Sequence, residues 1–305
     1  MDEAKGTVLI AGGRGFIGRH LHSFLKQAGW TVKILTRSAE TADGKTLFHW
    51  DPARQIIDER LADTPITAVV NLAGKNIGGG RWTRRFKETL YRSRIDATRL
   101  LVEHACRWRL KVFVQITGIG YYGYDRGEEW LPETAHPGDD FLARLSIDWE
   151  KAARPVEGSA PLFIFRTGVV LGRDGGMIAK LRPPALLNLL SPLGSGRQWM
   201  SWIHIDDLVR VIHWAITHPT QADLYNAASP HPVRNKTFTY HLASSLNKAI
   251  FLPNAPRWAL RLAVGEMERA LTGSLRVDAR KLHAHLSFQY PKIEEALQSL
   301  SLVRH

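Results

Sequence analysis

The chain predicts an α/β fold: a Rossmann-like, doubly wound parallel sheet with a smaller, mainly helical C-terminal lobe. Three observations carry this expectation. Apolar strand-like runs alternate with helical periodicity through the first half. A glycine-rich turn joins the first strand to the first helix. Beyond residue 228, strand signals give way to helical segments punctuated by Pro230, Pro232, Pro253 and Pro256.

Residues 7–11 read as the first strand. They run into Gly12-Gly13-Arg14-Gly15-Phe16-Ile17-Gly18 and the helical stretch 16–29. Glycines in such a turn let the backbone approach a pyrophosphate, and the helix start offers unpaired N–H groups and a positive dipole end. Residues 31–36 and 46–50 read as the second and third strands, and 68–73 as the fourth. Residues 83–109 form a long amphipathic helix with apolar positions at Phe86, Leu90, Ile95, Leu100, Leu101 and Ala105. The fifth strand is 111–117, followed by a helix over 139–153 and a sixth strand over 162–170. The stretch 172–196 is rich in Gly, Pro, Leu and Arg, and 172–200 is assigned to the substrate side. Residues 202–204 read as a short strand, and 206–218 as a helix with Asp206 as its N-cap. Helices over 238–248, 257–271 and 293–300 make up the lobe. The expected division is a nucleotide-binding domain over 1–228 and a lobe over 229–305.

Composition narrows the function classes. The 44% apolar and 23% charged residues fit a globular protein. The single cysteine, Cys106, excludes an intramolecular disulfide and a cysteine-based metal site, and no other metal-ligand cluster stands out. No charged leader precedes the first strand and no apolar run approaches ~20 residues, so the expectation is a cytoplasmic protein without a membrane span. The formal charge of +12 comes without a zinc-finger spacing, an RNA-binding signature or a continuous basic tract. A dedicated nucleic-acid site is therefore not expected, and a protein partner stays open.

The end of the second strand selects the cofactor. An NAD site usually carries an acid there for the ribose 2′-hydroxyl. This chain has Leu35-Thr36-Arg37-Ser38, with no acid between Val32 and Ala39. Arginine pairs bidentately with a 2′-phosphate, so the expected cofactor is NADP(H). Arg14 adds positive potential beside Gly12, Gly15, Phe16, Ile17 and Gly18. Leu72, Ala73 and Gly74 give the fourth strand a small-residue exit against which the adenosine half can lie. Arg94 could reach a phosphate, although periodicity alone puts it on the surface.

The spacing Gly12-x-x-Gly15-x-x-Gly18 continues into further motifs: Asn71-Leu72-Ala73-Gly74, Arg81-Trp82-Thr83, Ser93-Arg94, Gly120-Tyr121-Tyr122-Gly123, Trp149-Glu150, 166–171, 194–198, 202–207 and Gly265-Glu266-Met267. Together these resemble the atypical extended short-chain dehydrogenase/reductases, in the NAD(P)-dependent epimerase-like branch that includes cell-division-inhibitor SulA-like proteins. The resemblance implies NADP contacts at Thr36, Arg37, Leu72, Ala73, Arg94 and around Val170, and a helical lobe over the cofactor cleft. Two departures stand out: Lys75 replaces a frequent Glu, and 271–288 matches loosely. The superfamily's Tyr-x-x-x-Lys pair, which moves the proton, falls on Leu142 and Ser146. Thr117, at the end of the fifth strand, is a substrate and cofactor candidate. Tyr121 and Tyr122 follow in a loop expected to reach the cleft, with Tyr122 the candidate proton donor. His204 is read as structural. Two functions stay open at this point: an NADP(H)-dependent oxidoreductase or epimerase-like enzyme on a small carbonyl or nucleotide-linked substrate, and a non-catalytic NADP(H)-sensing or partner-binding protein, with a link to cell division as an open option.

Overall fold

The computed structural model describes residues 5–301 and contains one eight-stranded sheet. In chain order its strands are β1 (Thr7–Ala11), β2 (Thr31–Thr36), β3 (Leu47–Asp51), β4 (Ile56–Ile57), β5 (Ala68–Asn71), β6 (Val112–Gly118), β7 (Leu162–Thr167) and β8 (Leu224–Ala227). Across the sheet they run β8-β7-β6-β5-β1-β2-β3-β4. All neighbours are parallel except β3 and β4. Val8, Leu9, Ile10 and Ala11 are fully buried, as a strand covered on both faces requires. The order reverses between β1 and β5, and ligands bind such sheets at the carboxyl ends of the strands beside that switch.

The helices are α1 (Phe16–Gln27), α2 (Arg84–Trp108), α3 (Phe141–Ala153), α4 (Gly176–Leu186), α5 (Ile205–Thr217), α6 (Asn235–Ser245), α7 (Arg257–Val264), α8 (Met267–Thr272), α9 (Arg280–His283) and α10 (Ile293–Ser301). Leu21 and Leu25 of α1 and Leu208, Val211 and Ile212 of α5 pack on one face of the sheet. Ala97, Leu100 and Leu101 of α2 and Ala153 of α3 pack on the other. A third core joins Ile178 and Trp202 to Phe238 and Leu242 of α6 and Ala296 of α10. Thr83 caps α2 by accepting from Phe86 N, and Asp140 caps α3 by accepting from Ala143 N.

Several expected elements change. The sixth strand divides at Gly168: Leu162–Thr167 stays in the main sheet, while Val169–Gly172 pairs with Trp202–His204. The cause is close contact, since a Cβ on Gly168 would sit 2.8 Å from Ser201 O. β8 has no counterpart in the sequence reading, and the stretch 172–196 contains α4. The helix over 257–271 breaks into α7 and α8 at Gly265, whose φ of +66° ends the first turn-run. The cap of α5 is His204, not Asp206: its Nδ1 accepts from Asp206 N at 3.1 Å. Ser299 Oγ donates to Ala296 O, so His204 Nε2–H points to Ser299 Oγ at 3.1 Å and the ring is neutral. The lobe is tied back by two short pairings, Arg276–Val277 with Trp130–Leu131 and Val233–Arg234 with Trp199–Met200. Among the described residues no helix is long and apolar enough to cross a membrane.

Burial holds His204, His213 and His283 below the ordinary histidine pKa. Above the unfolded value of about 6.5 both states are neutral and the full stability is present. Below it the unfolded chain takes up protons first, so stability falls with pH. The melting temperature should therefore drop as pH is lowered from 7 toward 5, and His204→Asn, which keeps a cap acceptor, should flatten the slope. A pH-independent melting temperature over that range would contradict the assignment.

Candidate functional site

The crevice begins where β1 meets α1. Gly12 adopts φ +80°, and a Cβ there would lie 2.8 Å from Leu72 O. A Cβ on Gly18 would lie 2.4 Å from Gly12 O and 2.5 Å from Gly13 Cα. The turn, α1 and the β5 exit are thus pressed together, and only glycine fits at these two positions. Gly15 N donates to Gly12 O at 2.9 Å, and Gly15 O accepts from Arg19 N at 3.0 Å to open the helix. Gly15 offers no capping side chain and the first turn holds no acid. The N–H groups of Phe16, Ile17 and Gly18 therefore have no partner within the helix, which favours an anion. The Phe16 ring is enclosed by the loop after Val169–Gly172, where a Cβ on Gly172 or Gly175 would come within 2.4 Å of it. Asp174 in that loop pairs with Arg19 at 3.1 Å and His20 at 2.8 Å. Val170 lies half-buried beside this clasp.

Cations gather around the crevice. Thr36 is buried at the end of β2, and its Oγ1 accepts from Ser38 N at 3.3 Å and Arg14 Nη1 at 3.4 Å. Arg37 is exposed beside it and forms no ion pair among the described residues. At the β5 exit, Asn71 Oδ1 accepts from Ala73 N at 3.1 Å, while its Nδ2 donates to Thr98 and Gln115, each at 2.9 Å. This fixes half-buried Leu72 and buried Ala73 before exposed Gly74. Arg94, placed on the surface by periodicity, is 8% exposed and packs against Gly74. Its guanidinium donates to Leu90 O at 2.9 Å and Lys75 O at 3.0 Å and lies over the Trp149 ring. It has no carboxylate partner, and burial lowers its pKa to about 10.

The two catalytic candidates lie at the end of β6, with Thr117 on the strand and Tyr122 in the turn that follows it. Tyr122 is fully buried: its hydroxyl reaches Asn226 Oδ1 at 2.7 Å and Pro132 O at 3.1 Å, and accepts from Arg166 Nη1 at 3.2 Å. Burial pushes its pKa up to about 12. Thr117 is 4% exposed, and its hydroxyl points to Glu150 Oε1 at 3.4 Å and Phe165 O at 3.3 Å. Both hydroxyls are engaged by partners inside the protein. They belong to a network centred on Arg166, which is 3% exposed and grips Glu150 bidentately at 2.8 and 2.9 Å. The Arg166 guanidinium also lies 3.2 Å from the centroid of the Tyr121 ring. Tyr121 is half-buried and its hydroxyl makes no hydrogen bond among the described residues. Leu142 and Ser146 face this loop: a Cβ on Gly120 would lie 3.1 Å from Leu142 Cβ and 3.7 Å from Ser146 Oγ. Glu150 and Arg166 fall within the motifs Trp149-Glu150 and 166–171, and the sequence pattern assigns neither a role. The available signal is the lone charge of the apolar strand 162–167 opposite an α3 that carries Asp148 and Glu150.

Residues 8–228 match the model of the NAD dependent epimerase/dehydratase family. The chain belongs to that family. Residues 255–300 match a second model, a domain of unknown function, DUF1731. Similar proteins include the epimerase family protein Mb2239 of Mycobacterium bovis, 37% identical over 96% of this chain and 97% of its own length. The chloroplastic SDR39U1 homolog of Arabidopsis thaliana is 34% identical over 98% of this chain and 87% of its own. Among solved structures, human epimerase family protein SDR39U1 (isoform 2), crystallised with NADPH, superposes with a TM-score of 0.87. It is 30% identical and the match covers 97% of this chain and 99% of the human one.

In this epimerase-family chain a cavity of about 900 Å³ lies between Arg81 and the α7–α8 pair. Its two acids are already engaged, Glu266 with Lys87 and Glu268 with Arg257. Lys75 is exposed at the crevice rim, and the Lys180 ammonium of α4 donates to Gly78 O. No group of metal-ligating side chains occurs among the described residues.

Glu150→Gln removes the charge opposite a fully enclosed guanidinium. Breaking such a pair costs about 3–5 kcal/mol, so urea unfolding should show a loss of that size. A loss below about 1 kcal/mol, typical of exposed pairs, would show that the network is not the organiser of the site.

Proposed function

We propose that the protein binds NADP(H) in the β1–β5 crevice and acts as an oxidoreductase or epimerase-like enzyme on a small carbonyl or nucleotide-linked substrate. The observation that carries the cofactor reading is Arg94. A buried guanidinium bonded only to neutral carbonyls is unfavourable unless an anion joins it, and it adjoins Gly74 at the crevice. The NADPH-bound human relative supports the same reading. The chain's residues fit the cofactor's charges: the Gly12–Gly18 turn for the pyrophosphate, Arg37 with Thr36 and Arg14 for a 2′-phosphate, and Leu72, Ala73 and Val170 as crevice walls. The nucleotide-binding unit would span 1–228 and the lobe 229–305.

NADPH, when bound, supplies a hydride; the protein must supply orientation and a proton. With Leu142 and Ser146 in place of the usual pair and Tyr122 internally bonded, Tyr121 carries the phenol left free beside the network. We assign it the proton donor role, with Arg166 holding its ring. A second reading, an NADP(H)-sensing protein without turnover, is favoured by the apolar Leu142 and the enclosed Tyr122.

Two measurements test these assignments. Arg37→Ala should weaken NADPH binding about tenfold or more while leaving NADH nearly unchanged, since a charge-assisted bond contributes about 1.5–3 kcal/mol; equal losses for both nucleotides would remove the 2′-phosphate assignment. NADPH oxidation against a panel of carbonyl compounds should fall about 10²-fold or more in Tyr121→Phe, the scale of general acid catalysis. Tyr122→Phe should instead act mainly on stability. Tight NADPH binding with no turnover across the panel would select the sensing role.

A further inference from the structure

The excess positive charge is distributed unevenly. Residues 175–205 and 224–265 hold eight lysines and arginines and no aspartate or glutamate. At the chain's overall share of 29 acids in 305 residues, about seven would fall in these two segments. The fold joins the segments on one side. Ala249 N donates to Asn188 Oδ1 at 3.4 Å, Gly194 N to Ala255 O at 2.8 Å and Lys236 N to Gly196 O at 2.9 Å. Large apolar side chains project from the same region: Leu187 is 68% exposed, Leu189 55% and Phe251 76%, while Trp258 and Leu262, 69% each, continue the surface along α7 to the rim of the cavity beside Arg81. No residue of α7 is buried, although its apolar and basic positions segregate as in an amphipathic helix. Arg182, Lys248 and Arg261 form no ion pair among the described residues, whereas Arg257 is held by Glu268 at 2.6 Å and Arg234 by Glu128 at 2.8 Å.

An exposed apolar patch of this extent marks an interaction surface, and its charge selects the occupant. A second copy seated on the same face would oppose unbalanced cations to cations. Tryptophan, phenylalanine and leucine projecting from turns and a short helix, flanked by lysine and arginine, match the interfacial zone of a bilayer with anionic headgroups. We propose that this face, formed by the end of α4, the 249–256 loop and α7, docks the protein onto an anionic lipid bilayer.

The test is co-sedimentation of the full-length protein with lipid vesicles. The protein should be retained by vesicles containing about one-third phosphatidylglycerol and pass free of phosphatidylcholine vesicles, with retention weakened by salt. Leu187→Ser with Phe251→Ser, and separately Lys248→Glu, should each lower the partition about tenfold, while NADPH affinity and melting temperature stay unchanged. No retention by anionic vesicles, equal retention by phosphatidylcholine, or retention unaltered in both variants would overturn the proposal. So would a stable dimer that Phe251→Ser dissolves, which would assign the face to a second copy, or equal retention on polyglutamate, which would assign it to an acidic protein.

Discussion

The carboxyl ends of β6, β7 and β8 are organised around one buried ion pair, Arg166 with Glu150. An arginine in a strand that is otherwise Leu, Phe, Ile, Phe and Thr cannot be left without a counter-charge. Glu150 on α3 takes one edge of its guanidinium with both oxygens, Nε to Oε1 and Nη2 to Oε2, in a bidentate charge-assisted pair. The consequences spread outward. α3 is fixed in register against β6 and β7, and the Tyr121 ring is laid on the guanidinium. Tyr122 OH links Arg166 to Asn226 of β8, whose amide donates to Leu131 O and Asp278 O. That last step ties the C-terminal segment to the Rossmann sheet. The attachment of that segment is therefore set from beneath the strand ends.

The two buried arginines make an informative contrast. Arg166 has its anion inside the protein, two good hydrogen bonds deep. Arg94 is almost as enclosed but meets only backbone carbonyls and an indole face. Both sit near strand ends on the same side of the sheet, so a general tolerance for buried charge does not explain the difference. A carboxylate supplied to one and withheld from the other is the contrast behind the proposal that an anion arriving with a ligand joins Arg94. The unpaired N–H groups of α1 and the free Arg37 demand the same sign of charge.

Much of this was legible in the chain. The glycine spacing, the acid-free exit of β2 and the alternation of periods depend on local conformation and short-range charge, which sequence carries directly. Arg94 was not legible as buried, because an amphipathic period assigns every charge to the wet face and cannot register that Trp149 and the 74–75 backbone cover it. The choice between Tyr121 and Tyr122 was equally hidden. Adjacent residues in a 3₁₀ turn point to different sides, and the one taken inside is decided by Asn226, more than a hundred residues later. The same holds for β8 and for Arg276–Val277 pairing with Trp130–Leu131: short strands have too few residues for a periodic signal, and only long-range pairing defines them. Asp206 looked like the cap of α5 because aspartate is a common cap. The strand Trp202–His204 instead delivers an imidazole to that position.

The acids of the second half explain why its surface is so one-sided. Each of several has an internal duty. Asp207 is fully buried and accepts from Gln289 N at 2.6 Å and Tyr290 N at 2.9 Å, which anchors the approach to α10. Glu268 joins α8 to Arg257, Asp278 turns the chain into α9 by accepting from Arg280 N, and Asp223 holds Lys281. Carboxylates so used neutralise cations within the lobe's framework and add little negative potential to the face formed by 175–205 and 224–265. A lobe that needed only solubility could have mixed both signs across that face. Keeping those segments free of acids, while leaving seven large apolar side chains exposed along the end of α4, the 249–256 loop and α7, is consistent with a surface shaped by what it meets.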